Sequence, residues 1–333
     1  KVLDDKTFTE FKKLAKKPKV IAIGEVGLDY YRNLSPKEEQ KEVFKKFLKL
    51  AEELNLPLII HARDADKDTL TILKEYKPKK AVLHCFSARE EMLREALAMG
   101  YYISYTCAVT FKNADNLRQL VKATPIERMF LETDAPYMAP QKFRGLRCEP
   151  AYVAILAEEI ARIKGLSVDD VARITSLNVA QFFGVKEFSS ESAEQAIAYK
   201  IRDSLYLNIT NECTNKCSFC VRNFTDFVKG HHLRLKKEPT ADELIKVVGD
   251  PKRYKQIVFC GYGEPTMRMD IILEVAKALK AKGANIRIVT NGHGNLINKE
   301  NILPKLKGIV DEMSISLDVD TADKYSKICR PQF

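Results

Sequence analysis

SLYLNITNECTNKCSFC occupies residues 204–220. Its first seven residues have the short, apolar and β-branched character of a strand. Three cysteines, Cys213, Cys217 and Cys220, follow that strand at once. The same design recurs along the chain. VIAIG (20–24) runs into Glu25, PLIIH (57–61) ends in His61, AVLHCF (81–86) carries His84, and YYISY (101–105) is followed by MFLETD (129–134), which ends in Asp134. Beyond residue 204 come QIVFCG (256–261), NIRIVTNG (285–292) and EMSISLD (312–318). Helical patterns separate these runs. In PKEEQKEVFKKFLKLAEEL (36–54), Val43, Phe44, Phe47, Leu48, Leu50 and Ala51 fall at helical spacing, and further helices fit 150–164, 167–183, 240–249 and 269–282.

Strands that are apolar on both faces and alternate with helices imply parallel sheets covered on both sides. Such sheets bind ligands beyond the carboxyl ends of their strands. The residues closing each strand are therefore the candidates for chemistry. They are Glu25, His61, His84 and Asp134 in the first half, and the cysteines, Gly261–Glu264, Thr290–Gly292, Ser316 and Asp318 in the second. VKEFSSESAEQAIAYK (185–200) turns polar and shows no strand signal. The expected organisation is one domain over 1–185, a linker over 186–200 and a second domain over 201–333, in the α/β class with two (β/α) barrel-type units.

Bulk composition narrows the class. The 333 residues suffice for two cores, and 45% hydrophobic with 30% charged content is ordinary for globular chains. No apolar run is long enough to span a bilayer and no signal segment opens the chain, so the expectation is a cytoplasmic protein without a membrane partner. Eight cysteines, five of them scattered, do not make a disulfide scaffold, and reduced thiols are expected. The net charge of +10 is spread over both halves. It suits a phosphate-rich partner and equally suits solvated helix ends such as Lys12–Lys19 and Lys74–Lys80.

In the first half, neutral imidazole and carboxylate together suit a divalent metal, which brings the pKa of a bound water down to about 7. A carboxylate such as Glu25 can bridge two ions. AIGEVGLDYYR, IIHARDA, LHCFSA, LETDAPYMAP and RCEPAYV resemble the TatD family of metal-dependent hydrolases over about residues 1–185. The resemblance implies a TIM-type, amidohydrolase-like barrel with a one- or two-metal centre (Zn, Mg or Mn) that hydrolyses nucleic-acid phosphodiesters, single-stranded DNA among them. Glu25, His61, His84 and Asp134 fall on the family's metal positions, with Glu25 and Asp134 also taken as catalytic. Arg63 falls on a neighbouring motif position suited to a phosphate, and Arg147 and Glu149 on another. The family opens with a strand carrying His-x-His, whereas the first histidine here is His61. One metal position is thus left mainly to Asp134 and Glu25, and the other to Glu25, His61 and His84. The alternatives are a degenerate hydrolase or, as favoured, a sequence cut at both ends, with its barrel missing the first strands.

In the second half, three thiolates are one short of a structural zinc site. A cube of four irons gives the number a reason: Cys213, Cys217 and Cys220 take three corners and leave one open. Phe219 is placed to shield that cluster. Alternatives are a zinc site completed by Cys260 or a plain electron-transfer cluster; Cys260 fits better as a small buried residue before the glycine turn. His231 and His232 read as surface, and His293, after the TNG turn, as a neighbour of the site. C-x3-C-x2-C followed by FCGYGEPT, VTNGHG and SISLD resembles the radical S-adenosylmethionine (SAM) superfamily over about residues 200–333. The resemblance implies a partial radical SAM barrel, incomplete at its C-terminal end. It also implies a 4Fe-4S cluster on Cys213, Cys217 and Cys220, and SAM contacts at Gly261, Gly263, Glu264, Asn291, Ser316 and Asp318. Reductive cleavage of SAM would be fed by a flavodoxin- or ferredoxin-type electron donor and directed at a small-molecule or other radical substrate. The chain as a whole resembles TatD-linked radical SAM proteins, a bifunctional fusion. The other readings are a radical enzyme whose barrel only docks substrate or nucleic acid, and a non-enzymatic iron–sulfur sensor.

Overall fold

The computed structural model describes residues 3–32, 34–185 and 194–333. The chain divides into two compact units, Lys1–Ser189 and Ser190–Phe333. Residues 186–193 of the expected linker lie outside the described residues.

The first unit is built on five strands, β1 (Ile23–Asp29), β2 (Leu58–Arg63), β3 (Ala81–Leu83), β4 (Tyr102–Tyr105) and β5 (Met129–Leu131). They lie side by side in chain order, every pair parallel. Leu28, Leu58, Ile60, Leu83, Ile103, Tyr105 and Met129 are buried on them, each side chain contributing roughly 1.5–3 kcal/mol by leaving water. Helix Lys37–Leu54 presses Phe44, Leu48, Leu50 and Ala51 onto the sheet and stops at Asn55, which takes the left-handed conformation.

β1 differs from its expected 20–24 span. It starts at Ile23, opposite Leu58, slips register between Ile23 and Val26, and continues to Asp29. Glu25 therefore sits in an irregular stretch inside the strand, not beyond its end. Such irregularities re-aim side chains at functional edges. Gly27, at φ +147°, sits opposite His61 and lies so close to β2 that a Cβ there would fall 1.9 Å from the His61 carbonyl oxygen.

The second unit has β6 (Ala198–Ile201), β7 (Ser204–Leu207), β8 (Phe227–Val228), β9 (His231–His232), β10 (Ile257–Phe259), β11 (Ile286–Thr290) and β12 (Glu312–Ile315). Its main sheet runs β12-β11-β10-β7-β6, parallel except for β6, which folds back on β7. β6 corrects the linker expectation for 198–200. The turn uses a positive φ at Arg202, a residue with no turn signature, and Tyr199 is buried by stacking on Tyr206 at 5.5 Å. His231 and His232 form the hairpin strand β9, and His232 is buried against the Phe227 ring at 5.1 Å. The surface assignment fails for His232 because an aromatic partner five residues away covers it, and His231 lies 5.0 Å from the Tyr199 ring.

Helix Ala241–Val248 opens with a capping box between Thr240 and Glu243. Helix Met269–Lys280 buries Ile272, Val275, Ala276 and Leu279. Among the described residues no helix is long and apolar enough to cross a membrane. Gly263 allows the loop after β10 to touch the cysteine loop, since a Cβ there would meet the Glu212 carbonyl oxygen at 2.2 Å. Overpacking of this kind costs about 1–3 kcal/mol. Gly27→Ala and Gly263→Ala should each lower unfolding free energy by at least that much in urea titrations; a loss under about 0.5 kcal/mol would put the close approaches in error.

Candidate functional site

In the first unit the Glu25 carboxylate is the meeting point. Its Oε1 lies 2.5 Å from His61 Nδ1 and 3.1 Å from His84 Nε2. Ligand-type atoms of these three residues all fall within 4.8 Å of one another. Strand pairing explains the convergence: His61 lies in β2 opposite Gly27, two residues before the strand ends at Arg63, and the His84 amide bonds the Ile60 carbonyl just past β3.

Two further carboxylates hold the rings, and both went unnoticed in the sequence. Glu132 Oε1 lies 3.2 Å from His84 Nδ1 and accepts the Cys85 amide at 2.6 Å. Asp29 Oδ2 lies 3.3 Å from His61 Nε2. Each imidazole thus has one nitrogen toward Glu25 and the other toward an orienting carboxylate, the arrangement that fixes a metal-binding histidine. Glu132 follows β5 directly, its amide donating to the Tyr105 carbonyl of β4 at 3.0 Å. Asp134 lies on the loop after β5, outside the close trio; its backbone carbonyl accepts the Tyr137 amide at 2.7 Å. Arg63 stacks over Tyr31, its guanidinium 3.9 Å from the ring centre.

The charges are mutually dependent. Hydrogen bonds from His61 and then His84 hold the Glu25 carboxyl well below the usual carboxylate range. At His84 burial disfavours the cation, but the Glu132 and Glu25 carboxylates outweigh it and raise the imidazolium to about 10. Protons bridge the point that a cation would take.

In the second unit the cysteine loop follows β7. The Asn215 amide donates to Cys213 Sγ at 3.4 Å, and Arg222 Nε to Cys220 Sγ at 3.4 Å. Asn291 Nδ2 approaches Cys213 Sγ at 3.9 Å and bonds Thr214 Oγ1 at 3.1 Å. Burial raises Cys213, with the Asn215 amide and the Arg222 charge acting against it. Burial, then Cys329, Cys220 and Asp318, push Cys217 up to about 11. All eight cysteines are free thiols. N–H donors and a guanidinium aimed at sulfur are what a thiolate-ligated cluster requires, so the donor set fits a cubane on Cys213, Cys217 and Cys220.

Around them the expected SAM-contacting residues are placed as follows. The amides of Gly263 and Glu264 are spent on the Thr210 and Glu212 carbonyls, at 2.9 and 2.7 Å. The Tyr262 amide is spent on Asn208 Oδ1 at 2.9 Å. Gly261 is confined by Asn208, whose Cα a Cβ would meet at 2.7 Å. The Glu264 carboxylate is buried and accepts from Thr266 Oγ1, Thr290 Oγ1 and the Asn291 amide at 2.6, 2.7 and 2.7 Å. It therefore ties β10 to β11 and positions Asn291. Ser316 donates its amide to Thr290 at 2.9 Å. Asp318 lies beside Cys217 and Cys329. His293 joins the cysteine loop through Thr214 Oγ1 at 3.0 Å and lies 3.3 Å from Tyr325 OH. Phe219 is exposed to 52%, which leaves it little of its expected shielding role. Cys260, half-buried, follows β10, with its carbonyl accepting Tyr199 OH at 3.0 Å. Among the described residues, the thiol grouped closely with Cys217 is that of Cys329.

Residues 1–184 match the family model described as TatD related DNase, and residues 207–332 match that of the Radical SAM superfamily. YabD of Bacillus subtilis, described as an uncharacterized metal-dependent hydrolase, is 46% identical over 176 residues, 52% of this chain and 69% of that protein. The 3'-5' ssDNA/RNA exonuclease TatD of Erwinia amylovora is 39% identical over 186 residues, covering 54% of this chain and 72% of the exonuclease. The crystal structure of the TatD homologue YjjV from Escherichia coli superposes with a TM-score of 0.52 at 26% identity, over 55% of this chain and 71% of the other.

The His84 shift has a measurable sign. A divalent ion needs neutral imidazole, so binding expels the proton. In the metal-free protein the NMR titration of His84 should have its midpoint near 10, and affinity for a divalent ion should rise with pH between about 6.5 and that midpoint. Glu132→Gln should bring the midpoint down and flatten the pH dependence near neutrality. A wild-type midpoint at about 6.5 would contradict the ion-paired arrangement.

Proposed function

The chain belongs to the TatD-related DNase family through residues 1–184 and carries a radical SAM domain over residues 207–332, and from that premise we propose one bifunctional enzyme. Its first unit hydrolyses phosphodiesters of single-stranded nucleic acid with a divalent metal, and its second cleaves SAM reductively at a 4Fe-4S cluster. The observation that carries the hydrolytic half is the shared Glu25 Oε1 between His61 Nδ1 and His84 Nε2.

In that half Glu25, His61 and His84 would hold the ion, with Asp134 entering from the loop after β5 as a further ligand or proton acceptor. A bound divalent ion supplies a water ionised near neutral pH and polarises the phosphoryl oxygen. Glu132 and Asp29 keep the two imidazoles turned toward the ion. Arg63, held over Tyr31, would offer its guanidinium to a phosphate oxygen. The substrate class draws its support from the exonuclease relative.

In the second half Cys213, Cys217 and Cys220 would ligate the cluster. When bound, the cluster and SAM would supply radical chemistry for hydrogen abstraction from a substrate. Arg222 offsets the thiolate charge at Cys220. The amides of Tyr262, Gly263 and Glu264 are spent and the Glu264 carbonyl accepts the Met267 amide at 3.1 Å, so carbonyls of Gly261–Gly263 would receive the SAM ammonium. Asn291, Ser316 and Asp318 stand at the same edge for its ribose and carboxylate. A flavodoxin- or ferredoxin-type donor in a reducing cytoplasm matches the free thiols.

Two assays separate the halves. Nucleotide release from single-stranded DNA should require added Mn, Mg or Zn, and His84→Ala should cut it by more than about 100-fold. Binding without cleavage at every metal would instead make the first unit a docking module. Under anaerobic reduction the chain should form 5'-deoxyadenosine from SAM, and Cys220→Ala should abolish this while sparing DNA cleavage. Cluster formation without any 5'-deoxyadenosine would favour a sensor.

A further inference from the structure

A second ligand set lies against the cysteine loop. Cys217 Sγ, Cys329 Sγ and an Asp318 carboxylate oxygen all lie within 4.8 Å of one another. The backbone holds the two thiols there. The amides of Lys216 and Ser218 donate to the carbonyls of Cys329 and Ile328 at 3.0 and 2.9 Å, and the Gln332 amide donates to the Thr214 carbonyl at 2.8 Å. Asn215 and Pro331 form an antiparallel bridge between the same two segments. Residues 328–332 are thus laced along residues 214–218. Cys329 is fully buried, whereas Asp318 is exposed, so the set is closed on its sulfur side and open on its oxygen side.

We propose that Cys217, Cys329 and Asp318 form a binding site for a single soft divalent cation, zinc or ferrous iron, exclusive of the cluster. Thiolates select such ions. An ion with sulfur ligands at about 2.3 Å in a tetrahedron needs them roughly 3.8 Å apart, a spacing compatible with ligand atoms that all lie within 4.8 Å of one another. On binding, the two thiols release their protons to solvent, the carboxylate supplies the third donor and water the fourth. Cys217 belongs to both sets, so an ion held here denies the cubane one of its three corners. The cation site itself does not depend on the radical SAM assignment; its competition with the cluster rests on that reading.

Cobalt is the probe, because its thiolate charge-transfer band reports sulfur ligation and is silent toward the nitrogen and oxygen donors of Glu25, His61 and His84. The full chain, reduced, metal-free and anaerobic, is titrated with Co(II). One equivalent should bring up the thiolate band. Cys329→Ser should weaken that binding by more than about 100-fold. Asp318→Asn, on an exposed side chain that folding tolerates, should weaken it more modestly. Cys213→Ala and Cys220→Ala should leave it in place. Iron–sulfur reconstitution should show the reverse pattern, lost in Cys213→Ala and Cys220→Ala and retained in Cys329→Ser. One equivalent of zinc added beforehand should slow reconstitution in the wild type and not in Cys329→Ser. A thiolate band whose affinity is unchanged in Cys329→Ser, or that disappears with Cys213→Ala and Cys220→Ala, overturns the site. Failure of reconstitution in every variant, with the cobalt pattern intact, would count against the cluster alone.

Discussion

Parallel strand pairing is the constraint on which both units depend. In a parallel sheet every strand points the same way, so the residues that end the strands collect at one edge whatever their distance in sequence. In the first unit the pairing of Gly27 with His61, and of Ile60 with Leu83 just before His84, brings a carboxylate and two imidazoles to one point. The bare backbone of Gly27 matters as much as the ligands, because any side chain would push β1 off the His61 carbonyl. In the second unit β7, β10 and β11 pair in the same sense, and the cysteine loop, the Gly261–Glu264 turn and Asn291 meet beyond them.

Two glutamates illustrate how one side chain type serves two ends. Glu25 is half-exposed and its Oε1 faces two imidazoles whose protons a cation would replace. Glu264 is buried, and two hydroxyls and two backbone amides satisfy it. A buried carboxylate with that many donors is a tie between strands. A carboxylate placed between imidazoles at an open edge remains available for chemistry.

Much of the architecture is legible in the sequence, because apolar runs alternating with helical stripes admit few arrangements. Glu25, His61 and His84 come together, though only His84 lies past the end of its strand while Glu25 and His61 lie within β1 and β2; the cysteine loop follows β7 as expected. What escapes is set by contacts that pattern does not encode. Glu132 and Asp29 act through rings belonging to other strands. Cys329 sits more than a hundred residues from Cys217 and reaches it through backbone pairing of two irregular segments. The strand at 198–201 hides in a polar stretch because it is an edge strand anchored mainly by Tyr199. His232 reads as polar surface until its stacking on Phe227 is seen.

The most direct test of the account is the environment of each iron in the second unit. Three sulfurs on a loop beyond β7 should leave one corner of a four-iron cluster free for SAM. Mössbauer spectra of anaerobically prepared protein, enriched in the active iron isotope, should then show a cubane in which SAM shifts the signal of a single iron and leaves the other three alone. A protein that assembles no cluster, or one whose iron signals are indifferent to SAM, would contradict it.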